Sequence, residues 1–371
     1  MPARRAGVTA VPELMTAVLL TGHGGLDRLE VRHDVPVPVA EPGEVLIEVG
    51  AAGVNNTDIN TRVGWYSKGV TGPTSTGGED GFAEADAMDA GWAGVPLELP
   101  RIQGADCCGT VVAVGEGVEP ARIGHRVLVR PMFHPPGDPD PLALWTFGSE
   151  CDGAFAQYAT APAREAYRIE CDWSDAELAS LPCAYSTAEN LLQRAGVAAG
   201  DNVVVTGASG GVGSAVVQLA RRRGAIVTAI AAAERAEEVA ALGAARVLPR
   251  DADAVAELGR ESIDTVIDVV GGSGFPSLLE LLRRGGRYAT AGAIAGPLVD
   301  LDLRTLYLRD LTLLGCTRQD VSVFENLVAY IERGEIRPLV ARTYPLEQIA
   351  TAQQDFLAKR FLGKLVVLPP K

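Results

Sequence analysis

Several things are scarce in this 371-residue chain, and each scarcity removes a class of chemistry. There are only four histidines. His23, His33, His125 and His134 have no carboxylate or second histidine at the spacing of a triad or a metal-ligand pair. The six cysteines include no CxxC pair and follow no regular spacing, which argues against a disulfide framework and against a four-cysteine structural zinc. Basic residues are outnumbered, 33 Lys+Arg against 47 Asp+Glu. A net charge of −14 repels phosphate backbones and anionic membranes, so neither nucleic acid nor a membrane surface is an expected partner. No apolar run approaches the roughly 20 residues of a membrane span. The first twenty residues, MPARRAGVTAVPELMTAVLL, place proline and glutamate where a signal peptide would be apolar, and a cytoplasmic location is expected. What remains, 47% hydrophobic with 22% charged residues, is a soluble globular chain with room for two cores.

The texture changes once along the chain. From Met15 to about Arg168, short Val/Leu/Ile runs punctuated by Gly and Pro (GEVLIEVGAAGV, GTVVAVG, HRVLVRP) predict a compact, barrel-like β domain. Two stretches interrupt it, 67–100 and 132–153. Both are rich in Gly, Pro and acids and have no helical or strand period, as expected of functional covers or mobile loops. After residue 175, apolar strands alternate with helices: NVVVTG, VGSAVVQLARRRGA, AIVTAIA, AERAEEVAALGA, DTVIDVVGG, FPSLLELLRRGG, RYATAGA and LTLLGCT. That alternation predicts a doubly wound parallel sheet over 175–318, of the α/β class. A helix, SVFENLVAYIERGE, and a strand-like tail, GKLVVLPP, are expected to return to the first domain, so that 1–174 is completed by 319–371.

Within NVVVTGASGGVGSAVVQLARRRGA, strand, tight glycine turn and helix follow in the order a dinucleotide pyrophosphate requires. Gly210 and Gly211 let backbone N–H groups approach the phosphates, and Gly213 lets the helix pack close to the strand. Ala208, Ser209 and Val212 complete the candidate loop. The second strand ends Ile230-Ala231-Ala232-Ala233, with no acid to bind both ribose hydroxyls. That absence, with Arg235 just beyond, favours NADPH through charge-assisted bonding to a 2′-phosphate. The other reading of Arg235 is a solvated charge in the first turn of a helix.

The motifs GEVLIEVGAAGVNNTD, GADCCGTVVAVGEGV, IGHRVLV, GAFAQYATAP, CAYSTAENLL, TGASGGVGSAVVQLA, LGA, DVVGG and GKLVVL occur in that order. Together they resemble the medium-chain dehydrogenase/reductase superfamily, from Met15 to the C-terminus with the two irregular stretches unmatched. The resemblance implies an N-terminal GroES-like β-barrel catalytic domain and a Rossmann-type cofactor domain. It also implies that Thr187 contacts the nicotinamide and that the backbone around Gly292 runs past the same ring. In zinc-dependent members a cysteine ligand stands at the place of Asn55, and His-Glu at the places of Ala105 and Asp106. Only Cys183 keeps a possible ligand, and a catalytic zinc needs about three protein ligands. The lobe that carries four cysteines in zinc members here holds only Cys151. No metal is expected, and the chain is similar to the zinc-free quinone oxidoreductase-like branch. The adjacent Cys107 and Cys108 then read as small apolar side chains entering a strand, with a rearranged metal site as the competing reading.

Without zinc the site lacks the Lewis acid of simple alcohol–ketone interconversion, and an electron-poor double bond becomes the natural hydride acceptor. Zinc-independent transfer of hydride from NADPH to a quinone or an α,β-unsaturated carbonyl compound is therefore expected. The alternatives are an alcohol or aldehyde dehydrogenase with an atypical zinc site and an NADPH-binding non-redox enzyme or sensor. Tyr66 matches a position of quinone-reductase-like members and could donate a hydrogen bond to the substrate oxygen, or merely line the cleft. Asn55 could hold the substrate or the cofactor amide, or only satisfy local backbone. Trp65, Phe147 and Tyr185 are candidates for the wall of a substrate pocket. Asp268 reads as structural. The apolar edge strand near 311–317 suggests a homodimer.

Overall fold

The structure, a computed structural model, describes residues 11–371. The first ten residues, on which part of the signal-peptide reading rests, lie outside the described residues.

The Val-rich runs of the first half pair as expected for half-buried strands. β1 (Glu44–Gly53), β2 (Cys108–Val114), β3 (Arg126–Val129), β4 (Tyr158–Pro162) and β5 (Ala166–Arg168) form an antiparallel sheet in which β1 pairs with both β2 and β4. A second sheet joins Leu14–Leu20, Leu29–Pro36 and Arg101–Ile102. Side chains on successive residues of a strand point to opposite faces. Cys107 accordingly lies in the core of this domain, while Cys108 faces the core shared with the second half. Both thiols are free and fully buried, and burial pushes both above the ordinary thiol range. They pack as small hydrophobes on two different faces and do not converge on one point.

The second half is a six-stranded parallel sheet: β6 (Asn202–Val205), β7 (Ile226–Ala231), β8 (Arg246–Pro249), β9 (Ile263–Asp268), β10 (Leu282–Thr290) and β11 (Thr312–Gly315). Its order is β8-β7-β6-β9-β10-β11, with the reversal between β6 and β9, where a doubly wound sheet opens a ligand crevice. Two segments differ from the sequence expectation. β8 had no counterpart in it, its run RVLP being bounded by a charge and a proline. The helix expected through FPSLLELLRRGG stops at Leu281, and its last residues belong to β10 instead.

β12 (Val340–Pro345) and β13 (Lys364–Leu368) return to the first domain. β13 pairs antiparallel with β1, Val367 opposite Ala52 and Val366 opposite Gly53. The tail is thus part of the barrel sheet, and it brings residue 364 to the seam between the two halves. The irregular segments carry little regular structure, a 3-10 turn at Thr74–Gly77 and a two-residue ribbon joining Met132–Phe133 to Trp145–Thr146. They are tied to each other where Glu150 accepts the Ala93 N–H at 3.1 Å.

Candidate active site

Three helices carry the residues of interest: α1 (Asn56–Val63), α2 (Pro182–Arg194) and α3 (Gly211–Arg222). The glycine turn leads from β6 into α3. Gly213 must be glycine, because a Cβ there would sit 2.2 Å from the Gly207 carbonyl oxygen. The N-cap, Gly210, offers no side chain to the first helical N–H groups, which leaves them for an anion. The Ala208 N–H donates to Ile230 O at 3.1 Å, locking the turn to the end of β7. That end carries Ala232 and Ala233 and no carboxylate. The geometry therefore fits a dinucleotide. Gly207, Ala208, Ser209, Gly210, Gly211, Val212 and Gly213 would hold the pyrophosphate, and the bound nicotinamide would supply the hydride.

Arg235 is not simply solvated. One guanidinium nitrogen pairs with Glu238 at 2.7 Å and another donates to the Arg360 backbone carbonyl. Gly292 follows β10, and its carbonyl accepts from Thr290 Oγ1 at 3.1 Å. Asp268 accepts from Thr206 Oγ1 and from the Tyr288 hydroxyl, each at 2.5 Å, and from the Val270 N–H at 2.8 Å. Its carboxylate is spent on bracing the loop after β9.

The residues at the positions of a zinc site do come together, but as a hydrogen-bonded cluster. Asp106 is fully buried and accepts from Cys183 N–H at 2.6 Å, from Asn55 Nδ2 at 2.8 Å and from Lys364 Nζ at 2.8 Å. Lys364 Nζ also donates to Asn55 Oδ1. Asn55 is in addition the N-cap of α1, where Asp58 accepts its N–H at 2.7 Å. Burial outweighs these bonds at Asp58 and raises its carboxyl to about 7, with nearby Asp106 adding to the rise. Burial also pushes the Cys183 thiol up. A divalent cation does not fit this donor set. Asn55 is a poor ligand, Ala105 offers none, and an ammonium already occupies the charged face of Asp106. Among the described residues no group of three or more His, Cys, Asp or Glu side chains could hold a metal ion.

Lys364 is the functional candidate that sequence reasoning missed. A lysine that opens an otherwise apolar strand, GKLVVL, signals a buried and therefore paired charge, but its partners lie at sequence separations of 258 and 309.

α1 ends in a left-handed turn at Gly64, which aims Trp65 and Tyr66. The Tyr66 hydroxyl lies 3.1 Å from Thr57 Oγ1. Burial raises its phenol above the ordinary range, and Asp58 and Cys183 stand near enough to add to the rise. Thr187 lies one turn beyond Cys183 on α2 and is buried. Trp65 meets Tyr66 edge-on at 5.6 Å, and its indole N–H donates to Gly72 O at 3.0 Å, so it fastens the start of the 67–100 segment.

Two pocket candidates are corrected. Tyr185 is buried in the core between α2 and α3, its hydroxyl donating to Arg337 O at 2.8 Å and accepting from Gln218. Phe147 is 1% exposed and packs inside the first domain's core. On a helix, residues two apart face different ways, so Tyr185 turns from the side that carries Cys183 and Thr187.

Comparison with known proteins agrees with this anatomy. Residues 41–171 match the alcohol dehydrogenase GroES-like domain, and residues 211–333 match the family described as zinc-binding dehydrogenase. The quinone oxidoreductase of Lama guanicoe is 30% identical over 96% of this chain and 98% of its own length. A crystal structure of a putative alcohol dehydrogenase from Sinorhizobium meliloti 1021 superposes with a TM-score of 0.87 at 46% identity, covering 97% of this chain and 98% of that one. The crotonyl-CoA carboxylase/reductase AntE in complex with NADP gives a TM-score of 0.82 at 25% identity, covering 98% and 97%. The chain is an NAD(P)-dependent oxidoreductase of the medium-chain dehydrogenase/reductase superfamily, in its quinone oxidoreductase-like branch.

Proposed function

We propose that the protein transfers hydride from NADPH to a quinone or an α,β-unsaturated carbonyl compound without zinc. The observation that carries this reading is the ammonium of Lys364 among Asn55, Asp106 and the Cys183 backbone, where metal-dependent chemistry would need a Lewis acid. Substrate activation then falls to hydrogen bonding, which suffices when hydride adds to a carbon conjugated with an oxygen acceptor.

Tyr66 is the donor this chain offers. Its raised phenol stays protonated at neutral pH, and Thr57 can turn its hydroxyl to donate, freeing the phenolic proton for the substrate oxygen. Asn55 holds the floor of the site through Asp106 and Lys364 and does not act as an acid. The final proton comes from solvent. Preference for NADPH is supported by the acid-free end of β7, with the cationic Arg235 just beyond it. A homodimer is supported by β11, which lies at the edge of its sheet next to the exposed Leu303, Tyr307 and Leu308.

The 46% identity with a putative alcohol dehydrogenase favours a second reading, oxidation of an alcohol. Oxidation of NADPH measured against a panel of quinones, enones and enals, with NADH in parallel and NADP⁺ plus alcohols as the reverse arm, separates the two. Turnover in the first arm with NADPH preferred is expected, and turnover confined to the alcohol arm would replace the proposal.

A further inference from the structure

We propose that Lys364 is a positioning residue, a buried strut that sets the distance between the cofactor turn and the floor of the substrate site. This inference rests on the hydride-transfer reading above. Lys364 opens β13, and its side chain is 3% exposed. On one side its ammonium holds Asp106 Oδ2 at 2.8 Å and Asn55 Oδ1. On the other side its stem crosses the start of α3, where a Cβ on Gly211 would lie 3.0 Å from Lys364 Cδ. The preceding residue reinforces that contact, the Gly363 N–H donating to Ser209 O at 3.2 Å.

Three elements are thereby keyed to one side chain. Asn55 caps α1, which leads to Tyr66. Asp106 accepts the N–H of Cys183 in the first turn of α2, which carries Thr187 one turn on. Gly211 and Ser209 belong to the turn that would hold the dinucleotide. Stability alone does not call for such a pair. Desolvating two buried ions is costly, and apolar residues of similar volume would join β13 to its neighbours as well or better. What the pair supplies is a fixed length and direction between donor and acceptor, the kind of placement in which an error of about 1 Å costs about 100-fold in rate.

The test uses the full chain and three variants, K364R, K364M and D106N/K364M, read by thermal midpoint, the emission of bound NADPH and kcat with a quinone the wild type reduces. K364M leaves Asp106 buried and unpaired, and its midpoint falls. D106N/K364M removes both charges while an amide oxygen at position 106 still accepts the Cys183 N–H, so its midpoint stays near the wild type. Its kcat is expected to drop about 100-fold, with a larger primary isotope effect from deuterated NADPH. K364R keeps the charge but carries a bulkier head, and its kcat is expected between the two. Folded variants whose kcat does not depend on residue 364 would overturn the proposal, and K364R alone decides if the double variant does not fold. Absence of wild-type turnover with every quinone and enone would refute the functional reading without touching the strut. NADPH emission then decides, an altered nicotinamide spectrum in K364R supporting the strut and an unchanged one refuting it.

Discussion

Asp58 shows how closely burial and chemistry are balanced at this site. Its carboxyl is 2% exposed and raised to about 7, whereas an unfolded aspartate titrates near 3.9. The folded state therefore binds a proton that the unfolded state has already lost, and stability attributable to this group falls as pH rises from about 4 to about 7. D58N keeps an acceptor for the Asn55 N–H and does not ionise. Its thermal midpoint relative to the wild type should rise across that window and level off above about pH 7. Tyr66 gives a second test at this scale. Y66F should leave the midpoint and NADPH binding unchanged and lower kcat/KM about 100-fold, the usual loss on removing one donor to a developing oxyanion. At the scale of residues the sequence showed Asn55, Ala105 and Asp106 as the places where zinc ligands or their neighbour had been replaced, with Cys183 alone kept as a possible ligand. It did not show that a lysine 258 residues beyond Asp106 closes the cluster, because a Lys opening an apolar strand signals a buried charge without saying which distant residue pairs with it. Phe147 and Tyr185 were misplaced for a related reason, since an aromatic's position in a motif does not say which core it enters.

Among elements, the glycine turn was fully legible, since strand, turn and helix each carry a local signal. G213A would force a Cβ to 2.2 Å from Gly207 O, and loss of NADPH binding in a fluorescence titration is the expected outcome. The end of β7 was legible by what it lacks. A232D would restore a carboxylate there, and R235A would remove the nearby cation. Each should shift the ratio of kcat/KM for NADPH over NADH towards NADH by about 10- to 100-fold, the worth of one hydrogen bond to a charged group. The boundary between α4 (Phe275–Leu281) and β10 was not legible. LELLRR has a helical composition, but Leu282 is extended, and Gly285 takes φ +72, which directs the chain into the sheet beside β9. Pairing with a neighbouring strand overrode local propensity, and nothing within the segment announces it.

For the whole molecule, the two-domain α/β architecture followed from the change in texture near residue 175. β13 pairs antiparallel with β1. The matching of partners between distant strands is what a single sequence does not display. No helix of the described residues is long and apolar enough to cross a membrane. The proposed homodimer is tested by Y307D/L308D, which puts two charges on the exposed apolar face beside β11. Light scattering should report a dimer for the wild type and a monomer for the variant, whereas identical masses would remove the proposal.

The most direct test of the central claim is kcat/KM for NADPH-dependent reduction of a neutral quinone by protein stripped of metal with a chelator and assayed with and without added zinc. Full activity in the stripped protein, unchanged by zinc, is the expected result. Activity lost on stripping and restored by zinc would contradict it, and would return Cys183 to the role of a metal ligand.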